Sequence, residues 1–415
     1  MNTIKELECT RCKRLLPPDS KHYCCPDCQG ILEVIPDYSL LKTRNLQALW
    51  TASPRKDIWR YLPLIGVPKP EGIETLRVGN TPLYQANKLG SLLGLFHLYV
   101  KDEGLNPTQS LKDRASVVAC LQAIESKKNV IACASTGNAA SSLAGNAAKL
   151  GLKAVIFVPS RAPAGKLAQL LAYDALVIRV DGDYQAAFSL SEKAIAHFGW
   201  LNRNAAINPY LIEGKKTVAL EIAEDFQFQV PDAIVVSVGD GCTIGGVYKG
   251  FVDLVQLGIT NKIPRIIGVQ AAGCNPFVRA FLSKRPLEAM AENTLADSIA
   301  VGIPRNPFKA MRAVFESGGT WLSVSDTQIL DAMKLLGKTE GIFSEPAAAA
   351  SIAGMIQAME KGFIQKEDHV VCISTGNGLK DTKTALEALK RPVDLKNDFH
   401  QLLDYITENK GELLS

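Results

Sequence analysis

The chain has 415 residues, enough for two or three domains each with its own core. A composition of 47% apolar and 21% charged residues with a net charge of +4 is ordinary for a globular protein, and no long Lys/Arg run supports nucleic-acid binding. No apolar signal-like run opens the chain, and the apolar stretch 132–150 is broken by Ser, Asn, Gly and Lys, so no membrane span is expected and a cytoplasmic enzyme is.

Five of the ten cysteines fall before residue 29. Cys9 and Cys12 form one Cys-x-x-Cys knuckle, and Cys25 and Cys28 form a second after a gap of twelve residues. Two such knuckles predict four thiolates around a tetrahedral zinc ion, with Cys24 as the spare. A segment of roughly 35 residues buries too little surface to fold alone, so the metal would stabilise it. Four thiolates leave no open coordination position, which makes the expected metal structural. The remaining Cys120, Cys133, Cys242, Cys274 and Cys372 are scattered in apolar or Gly-rich segments and read as reduced.

Residues 36–80 are rich in Pro, Trp and Tyr and read as an irregular, wrapping connection. From Thr81 onward, short β-branched runs alternate with longer helical patterns. The runs beginning at Leu98, Asn129, Ala154, Leu176, Ala233, Arg265 and His369 are candidate buried parallel strands. Ala-rich helical patterns occur at Ala139–Leu150, Gln185–Phe198 and Pro346–Lys361. This alternation predicts an α/β fold with helices on both sheet faces. The polar-amphipathic tail, 394–415, reads as a terminal helix on the surface.

Three separated segments carry the chemistry. In the first, Asn106-Pro107-Thr108 reads as a turn and Lys112 opens a helix running to Ser126. A lysine held there can form a Schiff base with an aldehyde cofactor and later move an α-proton. In the second, Ser135, Thr136, Gly137 and Asn138 follow a strand and precede a helix, where backbone N–H groups make an anion site suited to a substrate carboxylate. In the third, Gly239, Asp240, Gly241, Cys242, Thr243 and Ile244, followed by Gly245 and Gly246, form a strand-to-helix turn that lets backbone approach a phosphate. Its spacing is not G-x-G-x-x-G, and no acidic residue ends the next strand near Gln270, which argues against a nicotinamide site. Together the segments describe a pyridoxal phosphate (PLP) site. A further Gly-rich turn after Cys372 places Ser374 or Thr375 where a hydroxyl would face the pyridine nitrogen and leave it unprotonated, which suits elimination and replacement.

These residues resemble the threonine synthase branch of the fold-type II (tryptophan synthase β-like) PLP enzymes, from about Trp59 to Leu389. The resemblance rests on 106–114, 135–138, Glu213-Gly-x-Lys-Thr217 and 374–381, and on the cysteine module. It implies Lys112 as the Schiff-base lysine, Asn138 at the ring oxygen, Gly239 to Ile244 around the phosphate, Glu345 near the ring and Thr375 at the ring nitrogen. It also implies a homodimer acting on a small amino-acid substrate. The expected architecture is a cysteine module (1–35), a large PLP-binding domain (36–94 with 216–392), a small domain carrying Lys112 and the carboxylate loop (95–215), and a tail helix (393–415).

Threonine synthases eliminate phosphate from O-phosphohomoserine and add water. The branch typically clamps that phosphate with an Asn-Ser pair before the Asn-Pro matching Asn208-Pro209 and an Arg two residues after the Pro. Here those positions hold Ala205, Ala206 and Leu211, while Gln109 stands where Gly is usual and Leu111 where Phe is. The reading is therefore a PLP-dependent β/γ-elimination or replacement enzyme with an altered substrate phosphate site. An authentic threonine synthase with a clamp rebuilt by Arg203 or Lys215, or a threonine/serine dehydratase, stands as the alternative.

Overall fold

The computed structural model describes residues 3–160, 164–389 and 392–409. Two parallel sheets dominate it. The larger has six strands in the order Thr320–Val324, Arg265–Ala271, Ala233–Ser237, His369–Ser374, His97–Asp102, Leu83–Gln85, parallel except for the last, antiparallel edge. The smaller has four parallel strands in the order Leu176–Val180, Lys153–Pro159, Val130–Ala134, Leu201–Asn202.

The strands of the large sheet read as continuous apolar runs because helices cover both faces. Along Ala233–Ser237, Ile234 and Val236 enter one core while Ala233 and Val235 enter the other. His369–Ser374 repeats the alternation, with Val371 and Ile373 against Val370 and Cys372. All seven candidate strands are present. The strand Thr320–Val324 and the helix Asp326–Glu340 were not anticipated.

The expected domain boundary between 94 and 95 needs correction. His97–Asp102 pairs with His369–Ser374 in the six-stranded sheet, so the chain leaves that sheet only after Asp102. The connection 36–80 also differs from expectation. It holds short helices (Tyr38–Lys42, Leu46–Thr51, Leu62–Ile65) and a 3-10 turn (Ile58–Tyr61) that bury Trp50, Ile58, Tyr61 and Leu64 in the main core. In the tail, Phe399–Glu408 is helical with no buried residue, and 410–415 lie outside the described residues.

One helix joins the two units. Lys112–Glu125 sends Ala115, Ala119, Cys120 and Ala123 into the core of the four-stranded sheet, and Val117, Val118 and Leu121 into that of the six-stranded sheet. A helix buried all round has no amphipathic signature. Its N-terminus, and therefore Lys112, lies between the two units.

The cysteine module is a three-stranded antiparallel sheet, Leu15–Leu16, Ile4–Cys9, Leu32–Pro36. It docks on the helix Pro307–Glu316. There the Arg312 guanidinium donates to both Glu33 oxygens at 2.7 and 2.8 Å, and Lys309 Nζ donates to the Leu32 carbonyl at 2.7 Å. Among the described residues no helix is long and apolar enough to cross a membrane.

Candidate active site

The segment 106–114 is mostly frame. Arg114 is buried between Glu103 and Glu221, with charge-assisted hydrogen bonds of 2.7–2.8 Å to both carboxylates and a bond to Thr217 Oγ1 at 2.8 Å. Asn106 accepts from the Gly79 amide and donates to Glu103, while Asp113 accepts from the amide and hydroxyl of Thr108 and from Asn146. Lys112 is the member of the segment that lines the central pocket, and its ammonium has no bonded partner among the described residues. Burial pushes that ammonium below the ordinary lysine range, with Glu345 opposing and Arg203 reinforcing the shift.

The loop ahead of Lys112 is stitched to the turn that carries Thr375. The Leu111 amide donates to the Thr375 carbonyl at 2.9 Å, and the Asn377 amide donates to the Gln109 carbonyl at 3.1 Å, flanking a Ser110–Gly376 bridge. Gln109 follows that path at φ +68°, in the left-handed region that glycine adopts without cost.

The helix Asn138–Lys149 starts at Gly137 with no side-chain cap, although Ser135 Oγ accepts from the Gly137 amide at 3.2 Å. Its first turn is therefore open to an anion. Asn138 itself turns to Glu345: its Nδ2 donates to the two carboxylate oxygens at 2.9 and 3.1 Å. Ser298 Oγ adds a longer bond of 3.4 Å to Glu345. Burial pushes the Glu345 carboxyl up, while Asn138 and the Lys112 charge pull it down. Gly376 makes room for this group, since a Cβ there would stand 2.6 Å from Glu345 Oε1.

The turn Gly239–Ile244 lines the same pocket, together with Ser237, Ser298, Glu345 and Thr375. Here the helix begins at Cys242, so Cys242, Thr243 and Ile244 form its first turn, capped by Gly241 at φ +83° without a side-chain bond. Asp240 is pinned by its own carboxylate to the Arg305 amide at 3.2 Å, so its side chain serves the loop and its backbone the pocket. The hydroxyls of Ser237 and Ser374 are buried with no hydrogen-bond partner.

All of these turns sit at the carboxyl ends of parallel strands, the usual place for a site in an α/β fold. Lys112, Gly239 to Ile244, Glu345 and Thr375 converge on one pocket, with Asn138 bonded to its edge. Ser298 and Lys215 also line it. Ser298 belongs to a stretch with no motif. Lys215 is the unspecified position of Glu213-Gly-x-Lys-Thr217. Three residues of that segment are structural instead: Lys216 is buried against Glu213 and Asp253, with the Asp253 contact at 2.6 Å, and Thr217 binds Arg114.

In the cysteine module the four Sγ atoms of Cys9, Cys12, Cys25 and Cys28 lie within 4.8 Å of one another.

The fold is that of a pyridoxal-phosphate enzyme of fold type II. The family model described as pyridoxal-phosphate dependent enzyme matches residues 74–376, and the chain belongs to that family. A threonine synthase of Methanocaldococcus jannaschii is 38% identical over 96% of this chain and 99% of its own length. One of Methanosarcina acetivorans is 41% identical over 93% of this chain and 95% of its own. Among solved structures, a fungal L-serine ammonia-lyase from Rhizomucor miehei superposes with a TM-score of 0.65 at 22% identity, covering 76% of this chain and 98% of that one. The threonine deaminase isoform 2 of Solanum lycopersicum gives 0.64 at 23% identity, over 74% and 86%. The residues present fit the cofactor: a half-buried amine without a partner among the described residues, an uncapped Gly-rich helix start for a phosphate, and unpartnered hydroxyls beside them.

Proposed function

We propose that the protein catalyses the threonine synthase reaction, O-phosphohomoserine plus water giving threonine plus phosphate, with the substrate phosphate held by groups other than an Asn-Ser and Arg set. The observation that carries the reading is Lys112, half-buried and unpaired among the described residues, beside Glu345 at the convergence of three strand-end turns. Bound PLP supplies the electrophile and the electron sink for charge developed at the substrate's Cα. Lys112 then moves the proton at Cα, its lowered basicity suiting a general base. The open helix start at Ser135 to Asn138 takes the substrate carboxylate, and the amides of Gly239 to Ile244 take the cofactor phosphate. Asn138 and Glu345 border the ring, and Thr375 offers a neutral hydroxyl to its nitrogen.

Ala205 in the pocket wall offers no hydrogen bond, and Leu211 is buried in the apolar core of the four-stranded unit. That apolar wall favours a second reading, dehydration of unphosphorylated threonine or serine. Turnover of O-phosphohomoserine, followed by phosphate and threonine release, separates the two. Threonine formation supports the first; a keto acid made from threonine or serine, with O-phosphohomoserine ignored, supports the second.

The four thiols of the N-terminal module are proposed to hold one structural zinc ion, a reading supported by their mutual distances and chemistry. A cytoplasmic homodimer completes the proposal, with sedimentation as the check on its stoichiometry.

A further inference from the structure

Lys215 is 2% exposed, lines the pocket alongside Lys112 and Ala205, and has neither a hydrogen-bond acceptor nor an ion-pair partner among the described residues. The neighbouring carboxylates are committed elsewhere, Asp240 to the Arg305 backbone and Glu345 to Asn138. Close by, Arg203 is also buried, donating from Nε to Ser116 Oγ at 3.0 Å while its Nη2 has no partner. An unpaired buried cation is costly, so two of them beside a reactive lysine mark a place where a ligand brings negative charge.

The cofactor phosphate accounts for one such charge, at the start of the helix Cys242–Gln256. Lys215 lines the same pocket from a backbone position farther along that helix. Its Cβ would stand 2.9 Å from a Cβ on Gly246, a full turn behind that helix start. It also follows Leu211 by four residues on the helix Tyr210–Lys215, so the two share one helix face. Lys215 thus puts a cation on the wall where Ala205 offers nothing polar.

We propose that Lys215 is the specificity-determining residue that binds the phosphate group of the substrate, a phosphate monoester dianion, with Arg203 adding charge behind it. This rests on the reaction proposed above, and its test separates the two. Inorganic phosphate is titrated calorimetrically into PLP-loaded wild type and into the Lys215→Met and Lys215→Arg variants. Cofactor affinity is read from visible absorbance, and KM and kcat are measured on O-phosphohomoserine. The expected result is phosphate binding weakened about tenfold or more in Lys215→Met, with KM raised to match, cofactor affinity held, and binding largely restored in Lys215→Arg. Unchanged phosphate binding overturns the proposal. So does a loss of cofactor affinity in Lys215→Met, which would assign the lysine to the cofactor's own phosphate. Lys215-dependent phosphate binding in an enzyme that ignores O-phosphohomoserine upholds the clamp and overturns only the reaction.

Discussion

The Leu111 amide donates to the Thr375 carbonyl at 2.9 Å, so the lysine that follows Leu111 is held in place by the turn expected to face the cofactor's ring nitrogen. Two segments more than 260 residues apart in the chain thereby share one short antiparallel bridge. Their mutual position is fixed by backbone hydrogen bonds between them.

Replacing Lys112 by Ala should therefore leave the fold intact and remove the chemistry. The expected loss in kcat is at least on the order of 10²–10⁴-fold, with melting temperature little changed. Loss of the visible absorbance of the purified, PLP-incubated protein is the companion readout. A variant that keeps its activity would remove Lys112 from the catalytic role.

Gln109 occupies φ +68° as part of that bridge. A non-glycine residue in the left-handed region costs about 1–2 kcal/mol, and glycine returns some of this as unfolded-state entropy. Gln109→Gly should stabilise the protein by roughly 0.5–1 kcal/mol, which thermal or urea unfolding will register. A destabilised variant would mean that the glutamine side chain contributes more than its backbone strain costs.

Arg114 is sealed between the carboxylates of Glu103 and Glu221. Removing it leaves Glu103 buried without a cation and Glu221 with Lys101 alone, at 3.2 Å, at a cost of about 3–5 kcal/mol for a broken buried pair. Arg114→Met should fail to accumulate as folded protein or melt far below the wild type, whereas Arg114→Lys should be intermediate because it cannot bridge both carboxylates as a fork. Near-wild-type unfolding of Arg114→Met would contradict the assignment.

Glu33 ties the cysteine module to the body. Its carboxyl is buried, which alone would raise its pKa, but Lys309 and Arg312 bring it from 4.5 down to about 2. Because the folded-state value is depressed, the stabilisation is fully present above pH 4.5 and is lost as the pH falls towards 2. It amounts to roughly 3 kcal/mol. Limited proteolysis of the N-terminal 36 residues should accelerate across that window, and Glu33→Gln should show the same susceptibility already at neutral pH. An equally resistant variant would show that other contacts hold the module.

If the module holds zinc, prolonged chelation should release one equivalent and expose the same segment to protease, because four thiols without metal have little apolar core to sustain them. A Cys9/Cys12 double variant with unchanged zinc content would place any metal elsewhere.

The strands and the turns after them were legible because a sheet buried on both faces writes itself as apolar runs, and strand-to-helix turns need glycine and hydroxyl residues at short range. Lys112, Ser135 to Asn138 and Gly239 to Ile244 stand out on those local grounds. The wrapping segment 36–80 misled because its helices are too short for a period to emerge, even though Trp50 and Tyr61 pack into the main core. His97–Asp102 was assigned to the wrong unit because parallel strand pairing is non-local, and no feature of its own six residues names its partner.

What the chain by itself determined is the α/β class and the strand-end turns, and it singled out Lys112 as the lysine to propose, since each follows from local residue chemistry and periodicity. Only the tertiary structure decided that Asn138 meets Glu345, that Arg114 and Lys216 are scaffolding, and that Lys215 stands unpaired in the pocket. The physical reason is that pairing and burial are properties of groups brought together from distant positions. A charged residue in a sequence looks the same whether its counter-ion comes from the fold or must come from a ligand.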